Sequence, residues 1–314
     1  MILSSLSQAE SKELVVIINV GTKLPTTLAL MSALRYAAMP ILILDYRLRD
    51  VSYEYFSSLM ERYEFDVMSC PPMPLRSADG TLAHHGETLD WLFSQVQAKK
   101  VVLMDSDGEL LSPEIVSFAR RSIEDASVFG SGFRNAMGSC PGWLPNQEEG
   151  LYVERFWTPF VMLKTSLVRE AIGAGCSLRQ RILFNEFGQS QYLSRNLLNL
   201  KNRGVLRNHR IWKLLHAFRK TYFGQKPSWI NFDTGAEIYH YLQDQQAYHF
   251  CAYPIEALGR CVSHYHGITR RLLDPSHLLG GTPLSEVENS IRERLKQAYQ
   301  FNYVQETSAY PDAS

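Results

Sequence analysis

The first regular segment of the chain, residues 14–46, reads LVVIINVGTKLPTTLALMSALRYAAMPILILDY. The apolar runs at its two ends, LVVIINV and ILILDY, predict buried β-strands. Between them, a Gly-Thr turn precedes apolar residues at helical spacing, which predict a helix over about residues 26–38. Strand, helix and strand in this order form a βαβ unit, the connection that parallel strands require.

The same alternation continues along the chain. Further helices are predicted over residues 53–63, 87–97, 113–126 and 285–300, and further strands at FDVMSC, VVLM and WTPFVMLK. Residues 129–157 are rich in Gly and aromatic residues, a composition typical of strands and ligand-binding loops. We therefore predict a Rossmann-like α/β fold, with a mostly parallel central sheet flanked by helices.

The composition excludes several classes of protein. Among 314 residues, 32 Lys and Arg balance 32 Asp and Glu, so no overall charge attracts the chain to nucleic acid. The five cysteines are widely spaced and odd in number, which predicts neither a disulfide framework nor a thiolate zinc site. Residues 1–13 lack the charged and apolar regions of a signal peptide, so we expect a cytoplasmic protein.

The most informative motif is VVLMDSDGEL, residues 101–110. Four apolar residues predict a buried strand, and Asp105-Ser106-Asp107 follows directly. In open α/β sheets ligands bind at the carboxyl ends of the strands. Two carboxylates at that position suit a hard divalent cation that keeps coordination positions for substrate phosphates. The alternative is an ordinary turn, because Asp, Ser and Gly are all turn residues.

Several segments in this order resemble the GT-A glycosyltransferases over residues 14–269: VVIINVGT, ILILDY, HGETLDWLF, the strand with DSD, DTG and HYHG. The resemblance implies that Asp105 and Asp107 hold Mn²⁺ or Mg²⁺ against the diphosphate of a nucleotide-sugar donor, with a UDP-sugar as the first expectation. A cation there neutralises the charge that develops on the leaving phosphate. Accordingly, no Gly-rich phosphate loop is needed, and the sequence has none.

The resemblance also implies roles for other residues, each with an ordinary structural alternative. For Asn19, Gly21, Thr22 and Asp45, which end the first two strands, the alternative is a role in a turn or as a cap. For His85 and Asp90 the alternative is a position on the surface or on a helix face. For Trp157 and the two histidines near residue 265 it is a position in the core. The donor site would include Asn19, Gly21, Thr22, Asp45, His85, Asp90, Asp105 and Ser106; Trp157 would contact the acceptor; His264 or His266 would complete the metal shell.

Asp233, at the apparent start of a helix, resembles the base that deprotonates the acceptor hydroxyl in inverting members of the family. The segment reads Asp-Thr-Gly where the family commonly has a Glu-Asp pair, and Glu237 is the reserve candidate. Asp233 is also a candidate N-cap. The resulting hypothesis is a hexosyltransferase-type enzyme that acts on a glycan, a lipid-linked or a small-molecule acceptor.

A basic segment interrupts the second half of the chain. No Asp or Glu occurs over residues 187–232, whereas nine Lys and Arg occur over 195–226. This charge pattern predicts a helical insertion that acts as a lid over the diphosphate, as a peripheral contact with the inner face of a membrane, or as a surface for an acidic partner. We place the donor half at residues 14–128, the acceptor half at 129–270, and a C-terminal helix and tail at 271–314.

Three other functions are alternatives to a glycosyltransferase. A haloacid-dehalogenase-like phosphatase would use Asp105 as a nucleophile, but its motif comes early in the chain and requires a later GDxxxD, which this sequence lacks. A nucleotidyltransferase would require a Gly-rich phosphate loop. A non-catalytic, membrane-associated factor of the same fold would not need the two carboxylates.

Overall fold

The structure, a computed structural model, describes residues 12–46, 50–70, 84–135, 138–140, 150–185, 228–265, 268 and 283–307. Its strands are β1 (Glu13–Asn19), β2 (Ile41–Asp45), β3 (Asp66–Ser69), β4 (Lys100–Asp105), β5 (Gly108–Leu110), β6 (Val128–Asn135), β7 (Gly138–Cys140), β8 (Gly150–Tyr152), β9 (Arg155–Lys164), β10 (Arg181–Asn185), β11 (Ser228–Phe232), β12 (His249–Ala252) and β13 (Val262–His264). Its α-helices are α1 (Lys23–Tyr36), α2 (Asp50–Leu59), α3 (His84–Gln95), α4 (Glu114–Ser122), α5 (Thr165–Gly173), α6 (Ala236–His240), α7 (Leu258–Cys261), α8 (Leu284–Tyr299) and α9 (Tyr303–Thr307).

The predicted βαβ unit is present, with one difference at the start of its helix. Helix α1 begins at Lys23, before Pro25, rather than near residue 26. Proline is tolerated in the first turn of a helix, where backbone N–H groups have no intrahelical partner. The apolar spacing alone therefore placed the helix start too late.

The central sheet has the strand order β12-β6-β9-β4-β1-β2-β3. Strand β9 runs antiparallel to β4 and β6, and the other neighbouring strands are parallel. This arrangement confirms the predicted Rossmann-like fold with a mostly parallel sheet. It also brings the carboxyl ends of β4, β1 and β2 side by side at one edge.

Helices cover both faces of this sheet, which explains why residues 14–18 of β1 are all apolar. Val15 and Ile17 pack into one core with α1, α2, α4 and α8, whereas Val16 and Ile18 pack into the other core with α3, α5 and α6. Successive side chains of a strand point to opposite faces, so a strand between two helical layers needs apolar residues at every position. Each such side chain contributes about 1.5–3 kcal/mol when fully buried.

Two smaller sheets lie outside the central one. One has the order β10-β11-β8-β7, and the other pairs β13 with β5. The predicted insertion at residues 187–232 falls outside the described residues except for its last five, which form strand β11 rather than a helix. In the part of the chain that the structure describes, no helix is both long and apolar enough to cross a membrane.

Gly235, the N-cap of α6, provides a test of this packing. It has a φ of 82°, and a Cβ placed there would lie 2.1 Å from Cζ of the buried Phe156. We expect Gly235→Ala to lower the free energy of unfolding by at least about 2 kcal/mol, because the left-handed backbone and the overlap both disfavour a side chain. Chemical denaturation measures this change.

Gly173, at the end of α5, is the matched control. A Cβ there has no atom within 4 Å and the backbone is helical. Gly173→Ala is expected to leave stability unchanged or to raise it by up to about 1 kcal/mol. An equal effect of the two substitutions would contradict the packing described for Gly235.

Candidate active site

Polar residues end three neighbouring strands of the central sheet. Asn19 ends β1 and lies opposite Asp45, the last residue of β2, while Ile18 of β1 lies opposite Asp105, the last residue of β4. The predicted placement of these residues at one sheet edge is therefore confirmed. This edge is where open α/β sheets bind their ligands.

Asn19 organises the turn between β1 and α1. Its Nδ2 donates to Oδ1 of Asp45 at 2.5 Å, and its own Oδ1 accepts hydrogen bonds from the backbone N–H groups of Gly21 and Thr22 and from the hydroxyl of Thr26, all at 3.0–3.1 Å. Asn19 and Asp45 are both buried. These bonds fix the turn that leads into α1, whose N-cap residue, Thr22, makes no side-chain capping hydrogen bond. Direct contacts of these residues with a donor stay predictions.

A second group forms around the DxD motif. Ligand atoms of Asp105, Asp107 and His264 all lie within 4.8 Å of one another, and Nε2 of His264 is 3.0 Å from Oδ1 of Asp107. His264 reaches this position because β13 pairs antiparallel with β5, which places His264 opposite Gly108. Two carboxylates and an imidazole form a plausible set of ligands for a divalent cation.

Strand β9 contains the predicted Trp157 and supplies two neighbours that the sequence did not predict, Thr158 and Arg155. The hydroxyl of Thr158 donates to Oδ2 of Asp105 at 3.0 Å, and Arg155 forms an ion pair of 2.6 Å with Oδ2 of Asp233. The ring of Trp157 lies edge to face with His264, with 5.3 Å between the ring centroids. A Thr and an Arg in a strand give no sequence signal of their own, because their roles depend on partners about 50 to 80 residues away.

The two candidate bases differ in accessibility. The side chain of Asp233 is 24% exposed, and its Oδ1 accepts a hydrogen bond of 2.8 Å from the backbone N–H of Thr234. It is not the N-cap of α6, since Gly235 occupies that position. Glu237, in contrast, is buried inside α6, where its Oε2 accepts a hydrogen bond of 3.2 Å from the backbone N–H of Ser177.

Asp90 of α3 makes contacts that hold a loop. Its carboxylate accepts hydrogen bonds from the hydroxyl of Ser177 at 2.5 Å and from the backbone N–H of Leu178 at 2.8 Å. Gly86 packs against the same loop, where an added Cβ would lie 2.2 Å from Cα of Arg179. These contacts give Asp90 a structural role, and its predicted contact with the donor remains untested.

Two predicted site residues have no described side chain. His85 lies in α3, but the structure describes only its backbone, and His266 lies outside the described residues. Ser106, between the two aspartates, is described and buried. Of the two histidines proposed for the metal shell, His264 is thus the one whose position is known.

Comparison with known proteins gives structural matches only. Neither a protein-family model nor a curated protein matches the chain. A mannosyltransferase from Pyrobaculum calidifontis, PcManGT, solved with GDP-Man and Mn²⁺, is 9% identical over 92% of this chain and 82% of its own, with a TM-score of 0.40. S. aureus TarS, residues 1–349, is 12% identical over 96% of this chain and 75% of its own, with a TM-score of 0.36. Similarities this distant transfer no residue role to this chain.

The carboxylate of Asp107 is expected to be essential for metal binding. Asp107→Ala removes one of two charged ligands, so we expect Mn²⁺ affinity, measured by calorimetry, to fall by more than about tenfold. Circular dichroism is expected to show an unchanged fold.

Asp244 provides the matched control, because it too pairs with a histidine, His240, at 2.9 Å. In Asp244→Ala the affinity for Mn²⁺ is expected to match that of the unmodified protein. Equal Mn²⁺ binding by Asp107→Ala and the unmodified protein would remove Asp107 from the metal site.

Proposed function

We propose that this chain is a metal-dependent glycosyltransferase that moves a sugar from a nucleotide-diphosphate donor to a hydroxyl acceptor. One observation carries the proposal: Asp105, Asp107 and His264 converge at the carboxyl edge of a mostly parallel sheet. That edge is where substrates bind in this architecture. Carboxylates held there suit a cation that binds a diphosphate.

The three side chains fit a divalent cation by their chemistry. Two carboxylates balance the charge of the cation, and an imidazole ligand favours Mn²⁺ over Mg²⁺. Asp105 and Asp107 would hold the ion together with His264. When bound, the ion supplies positive charge that stabilises the departing diphosphate.

The protein's own residues have separate tasks in the transfer. Thr158 donates a hydrogen bond to Asp105 and thereby fixes the orientation of that carboxylate. The side chains that end β1 and β2 shape the adjacent turn, where we place the nucleotide. Trp157, against His264, offers an aromatic surface next to the site, and we place the acceptor sugar or hydroxyl there.

Asp233 is the base in this proposal. Arg155 contacts Asp233, and Thr158, three residues further along the same strand, contacts Asp105. Three residues of a strand span about 10 Å, so the base lies near the metal ligands. Asp233 takes the proton of the acceptor hydroxyl while the oxygen attacks the anomeric carbon. The bond from that carbon to the diphosphate oxygen breaks, which inverts the configuration. Glu237 is the weaker candidate because it is buried and holds Ser177.

Donor binding can be tested by thermal shift with nucleotide diphosphates and nucleotide-sugars, UDP-sugars first, in the presence of Mn²⁺, Mg²⁺ or EDTA. A ligand that binds the native state raises its stability, by about 2.7 kcal/mol at 100 times its Kd. We expect stabilisation by one nucleotide in the presence of metal and its loss with EDTA. Without such stabilisation, a phosphatase assay would distinguish the dehalogenase-like alternative from a non-catalytic protein.

The base can be tested with Asp233→Asn, which keeps the shape of the side chain and removes its basicity. We expect unchanged donor binding and a fall in transfer, measured as release of the nucleoside diphosphate with a panel of sugar acceptors, of at least about 100-fold. Glu237→Gln keeps an oxygen for the N–H of Ser177 and is expected to retain transfer. Retained transfer in Asp233→Asn would shift the role to Glu237 or indicate a retaining mechanism.

The acceptor and the location of the protein are further proposals. We retain a glycan, lipid-linked or small-molecule acceptor and a cytoplasmic protein with a peripheral membrane contact through residues 195–226. Those residues lie outside the described part of the chain, so their contribution stays a prediction from their charge.

A further inference from the structure

The geometry points to a positioning role for a buried carboxylate next to the metal site: Glu109, together with Tyr265 and helix α8, fixes the strand that carries His264. This inference rests on the proposed function, because it concerns the ligand set of the proposed metal site. It assigns a task to a residue that makes no contact with substrate in the proposed mechanism.

Strand β13 requires support from outside its own sheet. Within the described residues it pairs with β5 alone, in a two-stranded sheet whose strands have three residues each. A two-stranded sheet is marginally stable on its own. Yet this pairing determines where His264 lies relative to Asp107, and it is extended by one hydrogen bond of 2.9 Å from the N–H of Tyr265 to the carbonyl oxygen of Asp107.

Glu109 supplies that support from the middle of β5. Its side chain is 1% exposed, and a charge buried to this degree requires partners. Oε2 accepts a hydrogen bond of 3.2 Å from the hydroxyl of Tyr265, the residue after His264. Oε1 accepts hydrogen bonds of 2.7 Å from both Nε of Arg294 and the hydroxyl of Tyr299, which belong to α8.

Helix α8 is itself firmly attached to the domain. Ile291 and Leu295 are fully buried in the core that contains α1, and Arg35 of α1 donates a hydrogen bond of 2.5 Å to the carbonyl oxygen of Ala298. Glu109 therefore connects the short strand pair to a helix anchored in the core.

In this arrangement Glu109 supports a proposed metal ligand without being a ligand itself. Asp107 and Glu109 are two residues apart, yet one meets His264 and the other meets Tyr265 and α8. When the Tyr265 hydroxyl is removed, β13 loses its side-chain connection to Glu109, and the position of His264 becomes less restricted. The effect on the metal is indirect and smaller than the loss of a ligand.

The test compares Tyr265→Phe and Tyr299→Phe with Tyr55→Phe. Each substitution removes one tyrosine hydroxyl. Tyr265 and Tyr299 are partly buried, whereas the control, Tyr55 of α2, is fully buried and its hydroxyl lies 3.1 Å from that of Thr27 in α1. Two quantities are measured: hydrogen exchange of the backbone N–H of Tyr265 without metal, and the affinity for Mn²⁺ alone by calorimetry.

We expect faster exchange at residue 265 in Tyr299→Phe, and a fall in Mn²⁺ affinity of about three- to tenfold in both site variants, the size of one lost hydrogen bond. Tyr55→Phe is expected to change neither quantity. Unchanged exchange in Tyr299→Phe together with unchanged affinity in both site variants, or an equal loss in Tyr55→Phe, would overturn the inference. The proposed function would still stand in that case if the unmodified protein binds Mn²⁺. Absence of Mn²⁺ binding by the unmodified protein would overturn both.

Discussion

The candidate site depends on the antiparallel course of strand β9 between β4 and β6. Because β9 enters the sheet at the edge where β4 ends, its first residues lie beside the carboxyl end of β4. Thr158 consequently bonds to Asp105, Trp157 packs against His264, and Arg155 pairs with Asp233. A parallel strand in this position would bring its last residues, rather than its first, to the same edge. The direction of one strand thus joins the proposed metal ligands to the proposed base.

Acidic residues near this edge are distinguished by their partners. Asp45 accepts a hydrogen bond from Asn19. Asp90 accepts hydrogen bonds from Ser177 and Leu178, and Glu237 accepts one from the N–H of Ser177. These bonds hold turns and loops in place. Asp105 and Asp107, in contrast, face each other and an imidazole within 4.8 Å. Two carboxylates this close repel each other unless a cation or a proton lies between them. This difference in surroundings is the physical reason for proposing metal binding by one pair of carboxylates and structural roles for the others.

Close packing positions the elements that the site uses. Gly86 and Gly235 both lie where an added Cβ would overlap other atoms, the first against Arg179 and the second against Phe156. Gly235 also accepts a position with a positive φ at the start of α6, two residues after Asp233. The Asp-Thr-Gly segment therefore contains a glycine that the backbone requires and the aspartate that we propose as the base. The sequence alone presented both as parts of one motif.

Local patterns in the sequence determined the strands β1, β2 and β4, the helices between them and the placement of Asp45 and Asp105 at the strand ends, because burial on both faces requires continuous apolar runs. The resemblance to the GT-A family, rather than these patterns, implied that His264 or His266 completes the metal shell, and the structure places His264 beside Asp107. Only the tertiary structure decided which acidic residue meets which partner. The ion pair of Asp233 with Arg155 joins residues 78 positions apart. The hydrogen bonds of Glu109 to Tyr265 and to Arg294 join residues 156 and 185 positions apart. Contacts over such separations follow from the order and direction of strands, which no local periodicity encodes.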